Sequence, residues 1–331
     1  MKKAVVFIVF LLFCAVVAVC VELHLYAGTP AGPSHEETVF NVPYGESFHA
    51  ITLKLEQAGI VKHPAKLRWY ARLNRYDKKI KAGEYLLSAA MTPREIMGTM
   101  IGGKIALHKI TIPEGYNGRQ IAAKVSENGF MSEEVFFKAA MNPELARTMG
   151  LEADTFEGYL FPDTYHFPTG VSAEEIIAAM IHRFREIFSP EWKNRAGEIG
   201  MTVHQVVTLA SIIEKETGAA FERPLISSVF HNRLEKRIRL SSDPTVIYGI
   251  KNFNGDLTKK DLATPTPYNT YLIFGLPPGP IASPGIASLE AALYPAETDY
   301  LYFVSKKDGT HQFSASLREH NRAVRKYQMR K

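Results

Sequence analysis

From Ala4 to Val21 the chain carries 18 consecutive residues without a charge, AVVFIVFLLFCAVVAVCV. At about 1.5 Å per residue, a helix of that length reaches roughly 27 Å, close to the hydrocarbon thickness of a bilayer. Lys2 and Lys3 precede the run and put the N-terminus in the cytoplasm, with the rest of the chain outside. A cleaved signal peptide needs a shorter apolar core and a small-x-small site. The best candidate, Tyr26–Ala27–Gly28, is a poor one, and Cys20 follows Val19 where a lipid-attachment site needs a small residue. The expectation is an uncleaved single-pass anchor over residues 1–26, followed by a Pro/Gly/Ser-rich linker over 27–38.

The chain has 331 residues, enough for two or three domains, and a formal charge of +5. That charge is spread out, with no basic stripe interleaved with aromatics, so nucleic acid is excluded as a partner. Both cysteines, Cys14 and Cys20, lie in the apolar segment. The exported part therefore has no disulfide, thiolate metal site or cysteine nucleophile. The 11 histidines form no H-x-x-x-H pair, and no phosphate loop, dinucleotide fingerprint or G-x-S-x-G elbow is present. No metal and no cofactor is expected.

After the linker the sequence repeats itself. FNVPYGESFHAITLKLEQAGIV (40–61) and ITIPEGYNGRQIAAKVSENGFM (110–131) align at an offset of 70, matching Pro43/Pro113, Gly45/Gly115, Ile51/Ile121 and Gly59/Gly129. Each copy reads as a strand, a P-x-G turn and a helix stopped by glycine. Between and after the copies, helices are expected over 64–74, 92–101 and 132–140, and a strand over 83–88.

Residues 202–218 carry the next strong pattern. Thr202 and Gln205 form a capping-box pair, and Gly218 is a natural stop. At about 100° per residue, Val203, Val207 and Ala210 fall within about 40° of Glu214, so a carboxyl group emerges from an apolar face. Such a group is costly unless protonated, hydrogen-bonded or paired, so a raised pKa is expected there, with pairing to an arginine as the alternative. Glu216 points to the far side and reads as a solvated helix end. His204, Thr208, Ser211 and Lys215 form a polar stripe on the same helix. Beyond it, loops rich in Tyr, Asn, Thr and Pro (241–249, 264–285) precede an aromatic hairpin turning at Lys307–Asp308–Gly309. A sheltered carboxyl beside such loops suits carbohydrate, because aromatic faces stack on sugar rings while amides and hydroxyls fix the hydroxyl pattern.

The stretches SIIEKET, DPTVIYG, TPTPYNTY and GLPPGPI, with EGYLFPDTY upstream, resemble the MltG (YceG-like) family of endolytic lytic transglycosylases. The resemblance runs from the anchor nearly to the C-terminus, and the repeated unit is similar to LysM-like modules. It implies an α+β fold with an N-terminal transmembrane helix, a duplicated LysM-like glycan-binding region over 39–155 and a lysozyme-like catalytic domain over 156–331. It implies cleavage of the MurNAc–GlcNAc β-1,4 bond of peptidoglycan with formation of a 1,6-anhydro end. Glu214, the first glutamate of E-K-E, would be the catalytic acid and base. Tyr248, Asn269 and Tyr271 are expected to meet substrate, with Glu157 and Asp243 as further candidates. The implied partners are glycan strands, the cytoplasmic membrane and peptidoglycan synthases, with the catalytic part periplasmic. A hydrolysing muramidase and a non-catalytic glycan-binding scaffold are the competing readings.

The anchor is expected to stay attached. Mass spectrometry of the membrane fraction should find Val6–Val21 in the mature protein; an N-terminus near Gly28 would overturn this.

Overall fold

The computed structural model describes residues 2–43, 45–103, 107–251 and 253–329. The side chains of Lys2 and Lys3, which carry the expected orientation, and Tyr44 in the first P-x-G turn lie outside the described residues. The chain divides into two compact units. The first runs to His108 and includes His166–Thr169; the second holds Lys109–Tyr165 and the chain from Gly170 onward.

The first unit begins with helix α1 (Lys2–Ala27), then β1 (Thr38–Val42), α2 (Phe48–Gln57), α3 (Pro64–Leu73), β2 (Gly83–Leu87) and α4 (Pro93–Gly102). Strands β1 and β2 pair antiparallel with Phe40 opposite Tyr85. Their buried positions alternate, Phe40 and Val42 on one strand, Tyr85 and Leu87 on the other, so one face of the ribbon supplies the core. Ile51, Leu55, Leu67, Ile96, Met97 and Met100 close over it. Helix α1 joins this core through its last turn, where Leu23 and Ala27 are buried and the Tyr26 hydroxyl donates to the His63 carbonyl at 3.1 Å. From Val6 to Val21 its apolar side chains are exposed, a surface compatible with a single-pass membrane anchor.

The second unit contains β3 (His108–Thr111, from Lys109 on), α5 (Gly118–Glu127), α6 (Glu133–Ala140), α7 (Pro143–Thr148), β4 (Thr164–Phe167, up to Tyr165), α8 (Ala173–Ile187), α9 (Pro190–Glu198) and α10 (Val203–Glu216). It continues with α11 (Arg223–Glu235), α12 (Asp243–Gly249), α13 (Lys259–Ala263), α14 (Ile286–Leu293), the β5–β6 hairpin (Tyr302–Ser305, His311–Ser314) and α15 (Leu317–Tyr327). The two repeat copies carry matching elements. Helices α2 and α5 start and end 70 residues apart, and Gly45/Gly115 and Gly59/Gly129 all have positive φ. Stretch 241–249, read from sequence as loop, contains the short helix α12.

Helix α10 is the centre of this unit. The expected capping box is present, with Thr202 Oγ1 accepting from the Gln205 N–H. Every residue from Val206 to Ile213 is buried. A helix buried on all sides must find partners for its polar groups. The expected polar stripe supplies them by binding the Pro-rich loop. Ser211 Oγ accepts the Ile281 N–H at 3.0 Å, and His204 Nε2 donates to the Pro278 carbonyl at 2.9 Å. In the neutral ring the other nitrogen then accepts from the Tyr159 hydroxyl, also at 2.9 Å. The helix ends as expected, but Gly218 serves close approach: a Cβ there would stand 2.7 Å from the Gly309 carbonyl oxygen of the β5–β6 turn.

Gly158, in EGYLFPDTY, has φ +80°, and a Cβ on it would lie 2.3 Å from Pro280 Cβ and 3.1 Å from Val207 Cγ1. The loop therefore sits on α10 only because this residue lacks a side chain. Gly158→Ala should cost at least about 1–3 kcal/mol through overpacking and backbone strain. Urea unfolding of the detergent-solubilised protein checks this; an unchanged midpoint would show that the close approach is dispensable.

Candidate active site

Glu214 occupies the last turn of α10, with its side chain 9% exposed. Its Oε1 lies 3.5 Å from Arg223 Nη2 at the start of α11, and its Oε2 accepts the Gly285 N–H at 3.1 Å. Gly285 is the N-cap of α14, so that N–H points from the positive end of a helix. Arg223 is itself steered by Ser288, to whose Oγ its Nε donates at 3.1 Å. The remaining side is closed by the turn of the second repeat copy. A Cβ on Gly115 (φ +74°) would lie 3.6 Å from Glu214 Cγ. That turn is fastened by the Gly115 N–H to the Ser283 carbonyl and the Ser283 N–H to the Tyr116 carbonyl, each at 2.8 Å, and by Lys215 Nζ to the Gly115 carbonyl at 3.3 Å.

The surroundings of Glu214 thus differ from the apolar face that periodicity predicts. A guanidinium and a backbone N–H meet it, from segments 9 and 71 residues away that no helical wheel contains. The arginine contact stands at the outer limit of a hydrogen bond. It orients the carboxyl without closing it off.

Glu216 corrects the reading more strongly. Instead of being a solvated helix end, it accepts the Ser242 hydroxyl at 2.6 Å. Burial pushes its carboxyl up to about 6, helped by the charge of Asp243 and opposed by the Ser242 bond. Asp243 in turn accepts the Tyr271 hydroxyl at 2.6 Å. Asn269, expected at the substrate, is fully buried. Its amide donates to the carbonyls of Leu262 and Thr264 at 3.1 and 2.8 Å and accepts the Tyr271 N–H at 3.0 Å, so it holds the loop.

Glu157 and Tyr248 come together. Both oxygens of Glu157 accept the Gly118 N–H, at 3.0 and 3.1 Å, and Oε2 also accepts the Tyr248 hydroxyl at 3.0 Å. Burial pushes the Glu157 carboxyl up to about 7, against the lowering effect of those bonds. Burial and the Glu157 charge raise the Tyr248 hydroxyl. The pair lines an open cavity of about 1130 Å³, together with Gly115, Asn117, Arg119, Lys215, Pro244, Lys251 and Ile281. Glu214 is not on that wall but adjoins it through Gly115 and Lys215.

Glu114, Arg223, Ser242 and Gly285 escape sequence reasoning. For Glu114 a signal existed: within the repeat it stands where the first copy has Tyr44, an acid set into an otherwise matching turn.

The YceG-like family model matches residues 40–326. Over 303 aligned residues the chain is 35% identical to an endolytic murein transglycosylase of Bacillus subtilis (strain 168), covering 87% of this chain and 84% of that protein. An endolytic murein transglycosylase of Streptococcus pneumoniae serotype 2 (strain D39 / NCTC 7466) is 30% identical over 327 residues, covering 88% of this chain and 58% of the relative. The crystal structure of a protein described as YceG-like, from Listeria monocytogenes, superposes with a TM-score of 0.61 at 37% identity, covering 87% of this chain and 99% of that one.

Glu157 generates a pH prediction. Its carboxyl is raised from an ordinary 4.5 to about 7 in the folded protein. A raised carboxyl contributes stability that is present below its unfolded value and lost as pH rises through its folded one. Stability should therefore decline between about pH 4.5 and 7, and Glu157→Gln should flatten that decline. Glu216 contributes with the same sign over a window ending near 6, so some slope should remain. Urea midpoints across this range are the measurement; a variant with the wild-type slope would clear Glu157 as its source.

Proposed function

Because the chain belongs to the YceG-like family, we propose that it is an endolytic murein transglycosylase, cutting the MurNAc–GlcNAc β-1,4 bond inside peptidoglycan strands and leaving a 1,6-anhydroMurNAc end. The observation that carries the assignment to a residue is the setting of Glu214, a sheltered carboxyl held by Arg223 and the Gly285 N–H beside an open cavity.

Glu214 in its acid form gives its proton to the glycosidic oxygen. The carboxylate left behind is stabilised by the two groups already aimed at it, the guanidinium and the helix-start N–H. It then takes the proton of the MurNAc C6 hydroxyl, whose oxygen attacks C1 and closes the anhydro ring. Because the nucleophile belongs to the same sugar, proximity replaces a second carboxyl and an activated water. Tyr248 contacts the sugars on the cavity wall, and the Asp243–Tyr271 pair, off that wall, offers a further sugar contact. In the same reading, residues 39–155 form a LysM-like glycan-binding region and 156–331 a lysozyme-like catalytic domain. Helix α1 anchors the protein in the inner membrane with its N-terminus cytoplasmic and the rest periplasmic, where it meets nascent strands and their synthases and ends strand elongation.

One observation favours a different acid: Glu157 is the carboxyl raised to about 7, near the ideal for proton donation at neutral pH. Its three hydrogen bonds argue instead for a structural part, holding the start of α5.

Glu214→Gln should lower release of anhydro-ended fragments by at least about a hundredfold while leaving thermal unfolding near wild type. Glu157→Gln should lose less. Equal or reversed losses would transfer the role to Glu157, and wild-type products heavier by one water would replace ring closure with hydrolysis.

A further inference from the structure

Helix α3 packs beside the end of α1 in a definite direction. Lys66 Nζ lies 2.7 Å from Glu22 Oε1, and the Tyr26 hydroxyl donates to the His63 carbonyl at 3.1 Å. Going back along α1 from Tyr26 to Glu22 is therefore going forward along α3 from His63 to Lys66, and the two helices run antiparallel. Glu22 is the first charged residue after the apolar run, so it marks the level at which α1 leaves the hydrocarbon. Past Lys66, α3 continues toward the bilayer. At about 100° per residue, Leu73 falls within about 20° of Lys66 and Trp69 within about 60°, so both lie on the flank that faces α1. Trp69 and Leu73 are 61% and 60% exposed, on a helix that buries Leu67, Tyr70 and Ala71 on its other side. The chain then turns basic. Residues 72–79, RLNRYDKK, set Arg72, Arg75, Lys78 and Lys79, all exposed, against the single acid Asp77. Arg75 has φ +56°, the left-handed conformation that glycine usually supplies after a helix, so a charged side chain stands where the backbone favours none.

We propose that α3 is a second membrane contact: Trp69 and Leu73 seat at the headgroup level of the leaflet from which α1 emerges, and Arg72, Arg75, Lys78 and Lys79 meet anionic phospholipid headgroups. The proposal rests on the reading of α1 as a transmembrane anchor. Tryptophan is enriched at membrane–water interfaces, where its ring is apolar and its N–H is wet. Arginine and lysine lay their stems along apolar surface and keep their charges among the headgroups. Both kinds of residue are brought to that level by the contacts of α3 with α1. Once α1 is inserted, the contact is intramolecular in effect, so weak individual interactions suffice to hold it. An apolar edge otherwise left in water is then covered by lipid. Helix α3 is also tied to α2, because Arg68 Nη1 donates to Thr52 Oγ1 at 3.0 Å. The first repeat copy is thereby seated on the bilayer surface instead of being held off it by a tether.

The chain has two tryptophans, so full-length protein carrying Trp192→Phe reports Trp69 by its fluorescence. The protein is placed in vesicles of phosphatidylethanolamine and phosphatidylglycerol. Lipids bearing a doxyl group near the headgroup should quench Trp69 at least about twofold, while iodide in the water quenches it little. Replacing phosphatidylglycerol with phosphatidylcholine should weaken the doxyl quenching and restore quenching by iodide. Changing Arg72, Arg75, Lys78 and Lys79 together to Gln should do the same. Should Trp192→Phe unfold, the difference in emission between wild type and Trp69→Phe gives the same reading. Trp69 quenched by iodide and not by doxyl lipid overturns the proposal. Quenching indifferent to lipid charge and to the four substitutions overturns its electrostatic part. Protection from both quenchers assigns the face to a protein partner and overturns it as well. Cys14 and Cys20, both in α1, report on the anchor separately. Modification of Cys14 by an impermeant maleimide in intact vesicles overturns the anchor reading, whereas a protected Cys14 with a water-exposed Trp69 overturns the seating of α3 alone.

Discussion

The second unit depends on the complete burial of α10 from Val206 to Ile213. A helix exposed on one face could leave its polar side chains to water; this one has no such face where Thr208 and Ser211 stand. Each polar group must be met by protein: Thr208 and Ser211 donate back to the carbonyls of His204 and Thr208 in the helix, and irregular chain meets the rest. Ser211 takes the Ile281 N–H, His204 bridges Pro278 and Tyr159, and Lys215 reaches the Gly115 carbonyl. The loop after α13 has no ladder of its own, yet it is held against the helix by these bonds and by the bare Cα of Gly158. Precision at Glu214 follows, because the N–H that holds it belongs to the residue where that loop becomes helix α14.

Four glutamates in this unit show how environment divides one chemistry into several parts. Glu157 is buried and fully hydrogen-bonded, which suits it to anchoring the start of α5. Glu216 is tied to Ser242 beneath the Asp243–Tyr271 pair. Glu214 is sheltered but incompletely satisfied, with a long contact to Arg223, and the Glu114 carboxyl packs against Gly285, whose N–H holds Glu214. A raised carboxyl pKa marks Glu157, Glu216 and Glu114 alike, with burial the first cause in each, so that property alone reports burial.

Much of the fold was legible in the chain. The capping box at Thr202, prolines at the starts of α3 and α4, and the turn at Lys307–Gly309 are local signals with local causes, and they delimit elements to within a residue or two. The offset of 70 is reproduced in the bounds of α2 and α5 because the same cap position and the same stopping glycine recur in each copy. Short α12 was missed: it is too brief for a period to show, and Ser-Asp-Pro reads equally as a turn.

The sequence by itself determined the exposed apolar helix at the N-terminus and the amphipathic and capped elements, and it placed Glu214 in line with Val203, Val207 and Ala210 on α10, because all of these follow from residue type and period along a few turns. Only the tertiary structure decided what surrounds that carboxyl. Gly285 and Glu114 lie 71 and 100 residues from Glu214 in the chain, and Ser242 reaches Glu216 across 26. Hydrogen bonds and charge pairs act over a few ångströms regardless of chain separation. No periodicity carries that information, so the partners that orient the carboxyl, and the turn that brings a second one beside it, became visible once loop, repeat and helix were packed together.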